Sequence, residues 1–266
     1  MNKTYTVADL VSIIEKLRGE NGCPWDRVQT HESIKMNLVE EAYEAIEALD
    51  DGTKDQFADE LGDLLLQVVF HAQIGKEEGT FTLDDVLRHV CDKMISRHTH
   101  IFGTDTANTP EEVLDTWEKN KQKEKGQKSY TESMEGICRY LPALIRAQKV
   151  QSKASKVGFD WDSADGALDK LKEEVGELTE AAQAQNADDV CEELGDVLFS
   201  AVNVARFFNC SAEESLGKTI RKFINRFSYV EASAQKAGKQ LENMTLQEMD
   251  ALWEKAKQQS FSKDDD

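Results

Sequence analysis

An internal duplication is the feature that most constrains this chain. When the sequence is shifted by 133 positions, Leu38–Ala72 aligns with Leu171–Ala205 without a gap, and 14 of the 35 positions are identical. A shared helical composition does not hold register over so long a stretch. Trp25 recurs further along as Trp161, so the likeness extends beyond the aligned segment. The duplication excludes a solenoid of short repeats and one large α/β domain, and it predicts two related domains.

A charged, polar stretch joins the two copies. It covers Lys121–Leu141, contains Gly126 and Gly136, and is followed by Pro142. Glycine and proline in a polar stretch are typical of a connection between folded segments. We predict an N-terminal helical domain over residues 1–125, a linker over residues 126–143 and a C-terminal helical domain over residues 144–266.

Both copies have the composition and periodicity of α-helices. Only 3 of the 266 residues are proline, against a typical ~5%, and alanine, glutamate, leucine and lysine favour helix. In each copy, the apolar residues that follow the predicted turn between the two central helices recur on one helical face. A further amphipathic stretch precedes each of these helices, at Ser33–Leu49 and Ala167–Ala184. Short connections make neighbouring helices antiparallel, so the prediction is an all-α fold of two tandem helical bundles.

Paired acidic residues stand at matching heights on the two central helices of each copy. In the first copy, Glu44 and Glu60 are equidistant from residue 52, the glycine of the predicted turn. Each has an acidic neighbour three residues away, on the same helical face. The second copy repeats the arrangement around residue 185. The two predicted carboxylate clusters are Glu41, Glu44, Glu60 and Asp63, and Glu174, Glu177, Glu193 and Asp196.

Four carboxylates between two helices repel one another unless a cation neutralises them. Oxygen ligands of this kind select a hard ion, so we predict Mg²⁺, with Mn²⁺ as a substitute. The alternative is a hydrated acidic surface, although flanking leucines place the acids beside the apolar seam. A di-iron site would require Glu-x-x-His, and no histidine here has a glutamate three residues before it.

Basic and aromatic residues of the second copy suit a polyphosphate that carries a base. Lys222 and Arg226 lie one helical turn apart, and Lys257 follows Trp253 at a similar spacing. An ordinary surface pair is an equally good interpretation of Lys222 and Arg226. A helix anchor packed on the core is the better interpretation of Trp253 on sequence alone.

Net charge and cysteine content exclude other classes of protein. With 32 basic and 51 acidic residues, the formal charge is −19. Such a chain lacks the basic surface that grips nucleic acid or an anionic membrane. Five cysteines without a Cys-x-x-Cys pair suit a reducing compartment, and the longest uncharged apolar run is too short to span a bilayer. We expect a cytoplasmic protein.

The ordered set of motifs resembles the MazG family of nucleoside triphosphate pyrophosphohydrolases in its tandem two-domain form. The resemblance covers nearly the whole chain. Its motifs are Gly22–Asp26, Glu40–Glu44, Glu60–Phe70, Leu141–Leu144 with Arg146–Lys149, Val157–Trp161, Glu173 and Glu174 with Glu177, Glu192–Asp196 and Asn203.

The resemblance implies hydrolysis of nucleoside triphosphates, ATP included, to the monophosphate and pyrophosphate by a homodimeric all-α enzyme. It assigns the metal to the four acids of the second copy, Glu174, Glu177, Glu193 and Asp196. It assigns the nucleotide to Lys222 and Arg226, with Lys170, Trp253 and Lys257 as further contacts. Two departures stand out: the family's Arg-His-Pro-His reads Arg97–His100 with threonine in third place, and Asp189 replaces a lysine.

We expect a metal-assisted attack of water on the α-phosphorus. A carboxylate of the cluster or its neighbour Glu173 would accept the proton. Asn203 lies two helical turns beyond Asp196, where it could bind a sugar or base, whereas the first copy has Phe70. We therefore predict that the second domain carries most of the activity and that the first is structural or regulatory.

Two alternatives stay open at this point. One is a pyrophosphohydrolase restricted to a single nucleotide, such as dUTP, dCTP or phosphoribosyl-ATP. The other is a nucleotide-binding or partner-binding helical module without catalysis, in which the acids form only a hydrated seam.

Overall fold

The computed structural model of the chain describes residues 4–260, with side chains through residue 258. Regular structure in this part of the chain is helical throughout, so the all-α prediction is confirmed. The chain divides into two compact units, Met1–Lys123 and Glu124–Asp266. Their boundary lies next to the predicted linker.

The first unit is built around a helical hairpin. α3 and α4 form that hairpin, and α1 packs on α4. Its helices are α1 (Val7–Arg18), α2 (Pro24–Val28), α3 (Lys35–Asp51), α4 (Lys54–Glu78), α5 (Leu83–Arg97), α6 (Thr99–Phe102) and α7 (Pro110–Glu124), whose last residue begins the second unit.

Local sequence signals explain where the helices of the first unit begin. Thr6, Thr53 and Thr82 each accept a hydrogen bond from the backbone N–H three residues later, and the side chain at that position bonds back. These capping boxes satisfy helix N–H groups that otherwise lack partners. α3 ends at Asp51 and is capped by Gly52, and the two-residue connection of Gly52 and Thr53 makes α3 and α4 antiparallel. The core between α1 and α4 is formed by Ile14, Ile34, Val69, Phe70 and Ile74.

The second unit repeats the hairpin. α10 and α11 form it, α9 packs against α11, and α12 contacts α13 and α9. Its helices are α8 (Tyr130–Glu135), α9 (Ala143–Ser155), α10 (Ala164–Ala184), α11 (Ala187–Phe207), α12 (Ala212–Lys236) and α13 (Leu246–Ser260), with one 3-10 turn at Leu241–Asn243. α8 lies inside the predicted linker, and its Ser133 is buried.

The turn of the second hairpin uses different residues from the first. Gln185 ends α10 with a left-handed backbone, φ 58°. Asn186 then caps α11 by accepting a hydrogen bond from the N–H of Asp188. Polar side chains of this kind tolerate such turns because they bond to the nearby backbone. The acidic pairs of α10 and α11 therefore lie opposite each other, as the sequence predicts.

Among the described residues, no helix is both long enough and apolar enough to cross a membrane.

Candidate active site

Three carboxylates of the second unit converge between α10 and α11. Oxygen atoms of Glu174, Glu177 and Glu193 all lie within 4.8 Å of one another. Glu174 is 6% exposed, Glu177 is exposed and Glu193 is half-buried. We call this group the C-terminal triplet. Closely spaced oxygen ligands with both buried and open sides form the kind of donor set that a hard divalent cation needs.

Repulsion among these acids shows in their proton affinities. The pKa of Glu177 is raised, first by its hydrogen bond with Glu174 and then by burial and the charges of Glu174 and Glu193. Burial raises the pKa of Glu193, and neighbouring Asp196 adds to the shift. A bound cation relieves this repulsion, so the donor set fits a metal ion.

A lysine reaches into the triplet from one turn earlier on α10. Nζ of Lys170 lies 2.7 Å from Oε1 of Glu174 and 2.7 Å from Oε1 of Glu173. This contact lowers the pKa of Glu174, so that carboxylate is ionised next to the lysine. Both carboxylates raise the pKa of Lys170 above its usual value. The site thus contains a permanent positive charge beside its negative oxygens.

Asp196 lies outside the triplet. It is one helical turn from Glu193 and close enough for its charge to raise the pKa of that residue. Asp63 stands in the same relation to the first unit, where its charge acts on Glu41. The structure therefore brings together three of the four predicted ligands in each copy, with the aspartate beside them.

The first unit contains a matching group, the N-terminal triplet. Oxygen atoms of Glu41, Glu44 and Glu60 also lie within 4.8 Å of one another. Burial raises the pKa of Glu41, against a hydrogen bond from Gln67 at 3.3 Å. The duplication thus carries the geometry of the carboxylates as well as their spacing in sequence.

The surroundings of the two triplets differ in charge. The position that matches Lys170 in the first copy is Asn37, and Gln67 of the first copy is matched by Ser200. One helical turn before Glu41 stands the neutral amide of Asn37, whereas one turn before Glu174 stands the ammonium group of Lys170. An anionic phosphate would be attracted more strongly to the C-terminal triplet.

The predicted nucleotide contacts on α12 and α13 form a second group. The guanidinium of Arg226 lies 5.9 Å from the ring centre of Trp253, which also contacts Phe223. Nε of Arg226 is buried without a hydrogen-bond partner. Lys222 is exposed on α12, and Lys257 forms an ion pair with Glu254.

The first unit repeats this arrangement too. The guanidinium of Arg97 lies 5.2 Å from the ring centre of Trp117. The guanidinium–indole contact is thus a property of the duplicated fold, with a cation held over an aromatic ring in each copy. Both interpretations of Trp253, as helix anchor and as nucleotide contact, are compatible with this position.

Asn203 lines a cavity of about 470 Å³ in the second unit. Sequence reasoning singled out Asn203 by its position on the helix, and named Phe159 and Trp161 only as part of the Val157–Trp161 motif. The other lining residues include Gln151, Phe159, Trp161, Phe199 and Arg206. Gln151 gave no signal, because one glutamine on an amphipathic helix has no distinctive spacing. Phe199 and Arg206 could have been found, since they follow Asp196 at three- and ten-residue spacing on the same helical face.

Comparison with known proteins adds independent information. The family model described as the MazG nucleotide pyrophosphohydrolase domain matches residues 29–102 and again residues 163–230. The chain is 47% identical over 249 residues to the nucleoside triphosphate pyrophosphohydrolase/pyrophosphatase MazG of Thermotoga maritima, covering 94% of each chain. It is 40% identical over 255 residues to the nucleoside triphosphate pyrophosphohydrolase of Escherichia coli strain K12, covering 95% of this chain and 97% of that one. Each of the two matched segments contains one of the acid triplets.

Proposed function

The chain belongs to the MazG family of nucleotide pyrophosphohydrolases, and from that premise we propose that it hydrolyses nucleoside triphosphates to the monophosphate and pyrophosphate. The observation that carries the proposal is the C-terminal triplet with Lys170 beside it. The two relatives are named for the same reaction. We further propose that the reaction requires Mg²⁺ and accepts several nucleotides.

The triplet would hold the metal, with Asp196 as a fourth oxygen ligand. When bound, Mg²⁺ lowers the pKa of water and neutralises charge on the departing pyrophosphate. The chain's own residues supply the rest. Lys170 would leave Glu174 and Glu173 to bind a phosphate oxygen, because an ammonium group can pair with a phosphate as well as with a carboxylate.

The bond changes are those of an in-line displacement. A water oxygen forms a bond to the α-phosphorus while the bond from that phosphorus to the bridging oxygen breaks, so pyrophosphate leaves. The water proton passes to a carboxylate, and Glu173 is a candidate because it lies outside the triplet and would be released from its ion pair when Lys170 moves to the phosphate. A positioned general base of this kind contributes roughly 10²–10⁴-fold.

The second unit would carry most of the turnover. The first unit retains its triplet, but Asn37 replaces the lysine and Phe70 replaces Asn203. Phe70 is 6% exposed and belongs to the core. The N-terminal triplet can thus hold a cation, while the lysine and the asparagine of the second unit are missing from those two positions.

We also propose that the active species is a homodimer. α12 exposes an apolar face between residues 216 and 227, formed by Leu216, Ile220, Phe223, Ile224 and Phe227. Further along α12, the same face is buried at Val230 and Ala234. Exposed apolar surface of this extent is typical of an interface, and a second copy of the chain is the occupant that family membership suggests.

Product analysis tests the reaction. Incubation of the purified protein with each of four nucleoside triphosphates and Mg²⁺ should yield the monophosphate and pyrophosphate in equal amounts, resolved by anion-exchange chromatography. A diphosphate with inorganic phosphate would place the broken bond elsewhere. Turnover of a single nucleotide would favour the restricted enzyme, and no Mg²⁺-dependent product would favour the non-catalytic module.

A further inference from the structure

The cavity of the second unit lies on the same face of α11 as the acids. Asp196, Phe199, Asn203 and Arg206 follow one another at three- or four-residue spacing, which places them in one row along the helix. The last three of them line the cavity. At 1.5 Å per residue, Asn203 lies about 10 Å along α11 from Asp196. A ribose with its base can bridge that span.

Aromatic side chains line much of the cavity. Phe159 is 83% exposed, and Trp161 and Phe199 are 48% and 45% exposed. Exposed rings that lie together are typical of a surface that binds a ligand or partner. A flat heterocycle would stack on such faces, as bases stack on aromatic side chains in single-stranded nucleic-acid complexes.

A buried acceptor without a partner belongs to the same cavity. Gln151 is 7% exposed, and its Nε2 donates to the backbone oxygen of Phe199 at 2.8 Å. Its Oε1 is buried and accepts no hydrogen bond. An unpaired buried acceptor destabilises the folded chain, and a ligand N–H that reaches it recovers part of that cost.

Asn203 supplies the complementary donor. Its Oδ1 accepts hydrogen bonds from Nε and Nη2 of Arg206 at 3.1 and 2.8 Å. Arg206 is itself paired with Asp160. These contacts orient the amide of Asn203 with its Oδ1 toward Arg206. The contact with Arg206 does not involve Nδ2, which is the donor atom of the amide. Beside the paired Arg206 and Asp160, the cavity therefore offers an amide donor from Asn203 and an amide acceptor from Gln151 between aromatic faces.

The first unit provides an internal comparison. At the position of Asn203 it has Phe70, which is buried among the apolar residues of the core. The guanidinium of Arg18 lies 5.2 Å from the ring centre of Phe70. Apolar packing thus occupies the position where the second unit has a polar, open site.

We propose that this cavity binds the base of the substrate nucleotide, with Asn203 as hydrogen-bond donor, Gln151 as acceptor, and Phe159, Trp161 and Phe199 as stacking surfaces. Its ligand is a purine or pyrimidine that carries an N–H group beside an acceptor atom. The inference rests on the proposed function, because the ligand is assigned as the base of a triphosphate whose phosphates are bound at the C-terminal triplet.

Nucleosides without phosphate test the cavity separately from the reaction. Saturation-transfer NMR with adenosine, guanosine, cytidine and uridine should show contacts from the base protons to the full-length protein. Asn203→Asp keeps an acceptor for Arg206 and removes the donor, and Asn203→Phe copies the first unit. Both should weaken binding by about tenfold, the equivalent of one hydrogen bond. Asn209→Asp adds the same charge at the exposed end of α11, outside the cavity, and should bind as the parent protein does.

Turnover supplies the second readout. Asn203→Asp should change the ratio of kcat/KM values among the four triphosphates by about tenfold, while Asn209→Asp leaves the ratio unchanged. Equal nucleoside binding by the parent protein and Asn203→Phe would overturn the cavity assignment, as would base contacts absent at millimolar nucleoside. If nucleosides bind but no pyrophosphate is released, the proposed function fails and the cavity assignment stands.

Discussion

Nζ of Lys170 lies 2.7 Å from Oε1 of Glu174, the most buried carboxylate of the C-terminal triplet. The matching position of the first copy is Asn37. The C-terminal triplet thus has a positively charged lysine beside it, and the N-terminal triplet has a neutral asparagine at the matching position. Since a lysine and a divalent cation compete for the same carboxylate, Lys170 influences both metal binding and phosphate binding.

Replacement of Lys170 with methionine separates these two effects. Lys170→Met should tighten Mg²⁺ binding, because a competing positive charge is removed, and should raise the KM for nucleoside triphosphate by roughly 10–100-fold, as expected for one charged hydrogen bond. Titration calorimetry and steady-state kinetics measure the two changes. Lys172→Met is the matched control, since Lys172 pairs with Asp169 on the exposed side of α10. An unchanged KM in Lys170→Met would remove Lys170 from the phosphate site.

Paired substitutions in each copy locate the turnover. Glu174→Gln with Glu177→Gln should lower kcat by at least about 100-fold, because the metal would lose two charged ligands. Glu41→Gln with Glu44→Gln, the same change in the first unit, should retain most of the activity. Pyrophosphate release under saturating Mg²⁺ measures both. If only the first-unit variant loses turnover, the assignment of activity to the second unit is wrong.

Much of the fold follows from patterns that are local in sequence. The turn at Gly52 and the spacing of Glu44 and Glu60 predict that the acids meet. Each helix rises 1.5 Å per residue, so two residues at equal distances from the turn lie at the same level along antiparallel helices. The cavity could not be predicted in the same way. Gln151 and Phe159 come from α9 and the segment after it, and their position beside α11 depends on packing between elements far apart in sequence. A single asparagine on a helical face indicates polarity, but not the space in front of it.

Gln151→Met tests whether the unpaired acceptor is kept for a ligand. The substitution removes a hydrogen bond to the Phe199 backbone but also removes a buried acceptor without a partner, so stability should change by less than about 1 kcal/mol. Turnover of nucleoside triphosphate should nevertheless fall by about tenfold. Urea unfolding and kcat/KM measure the two quantities. Gln148→Met, one turn earlier on α9, removes an exposed hydrogen bond to Cys210 and should leave kcat/KM unchanged.

His71 should make the stability of the first unit depend on pH. Nδ1 of His71 lies 2.8 Å from Nδ1 of His31, whose Nε2 is 3.7 Å from Glu78. Burial, and then the charge of His31, lower the pKa of His71 below its ordinary 6.5. The unfolded chain therefore binds this proton more tightly than the folded chain. The contribution of neutral His71 to the free energy of unfolding is complete above pH 6.5, and it is lost as the pH falls from 6.5 toward the lower pKa of the folded state.

His71→Gln should flatten this part of the pH profile. Urea midpoints measured on either side of pH 6.5 give the slope, and exposed His89→Gln is the control that should leave it unchanged. A slope that survives in His71→Gln would assign the titration to another group.

The exposed apolar face of α12 should determine the oligomeric state. Ile220 and Ile224 are 51% and 58% exposed and lie one turn apart, so their replacement by aspartate places two charges on the proposed interface. Burial of unpaired charge is costly enough to prevent association. Ile220→Asp with Ile224→Asp should sediment as a monomer where the parent protein sediments as a dimer. Asn225→Asp adds a charge on the opposite face of the same helix and should remain dimeric. A double variant that still sediments as a dimer would show that the two copies associate through another surface.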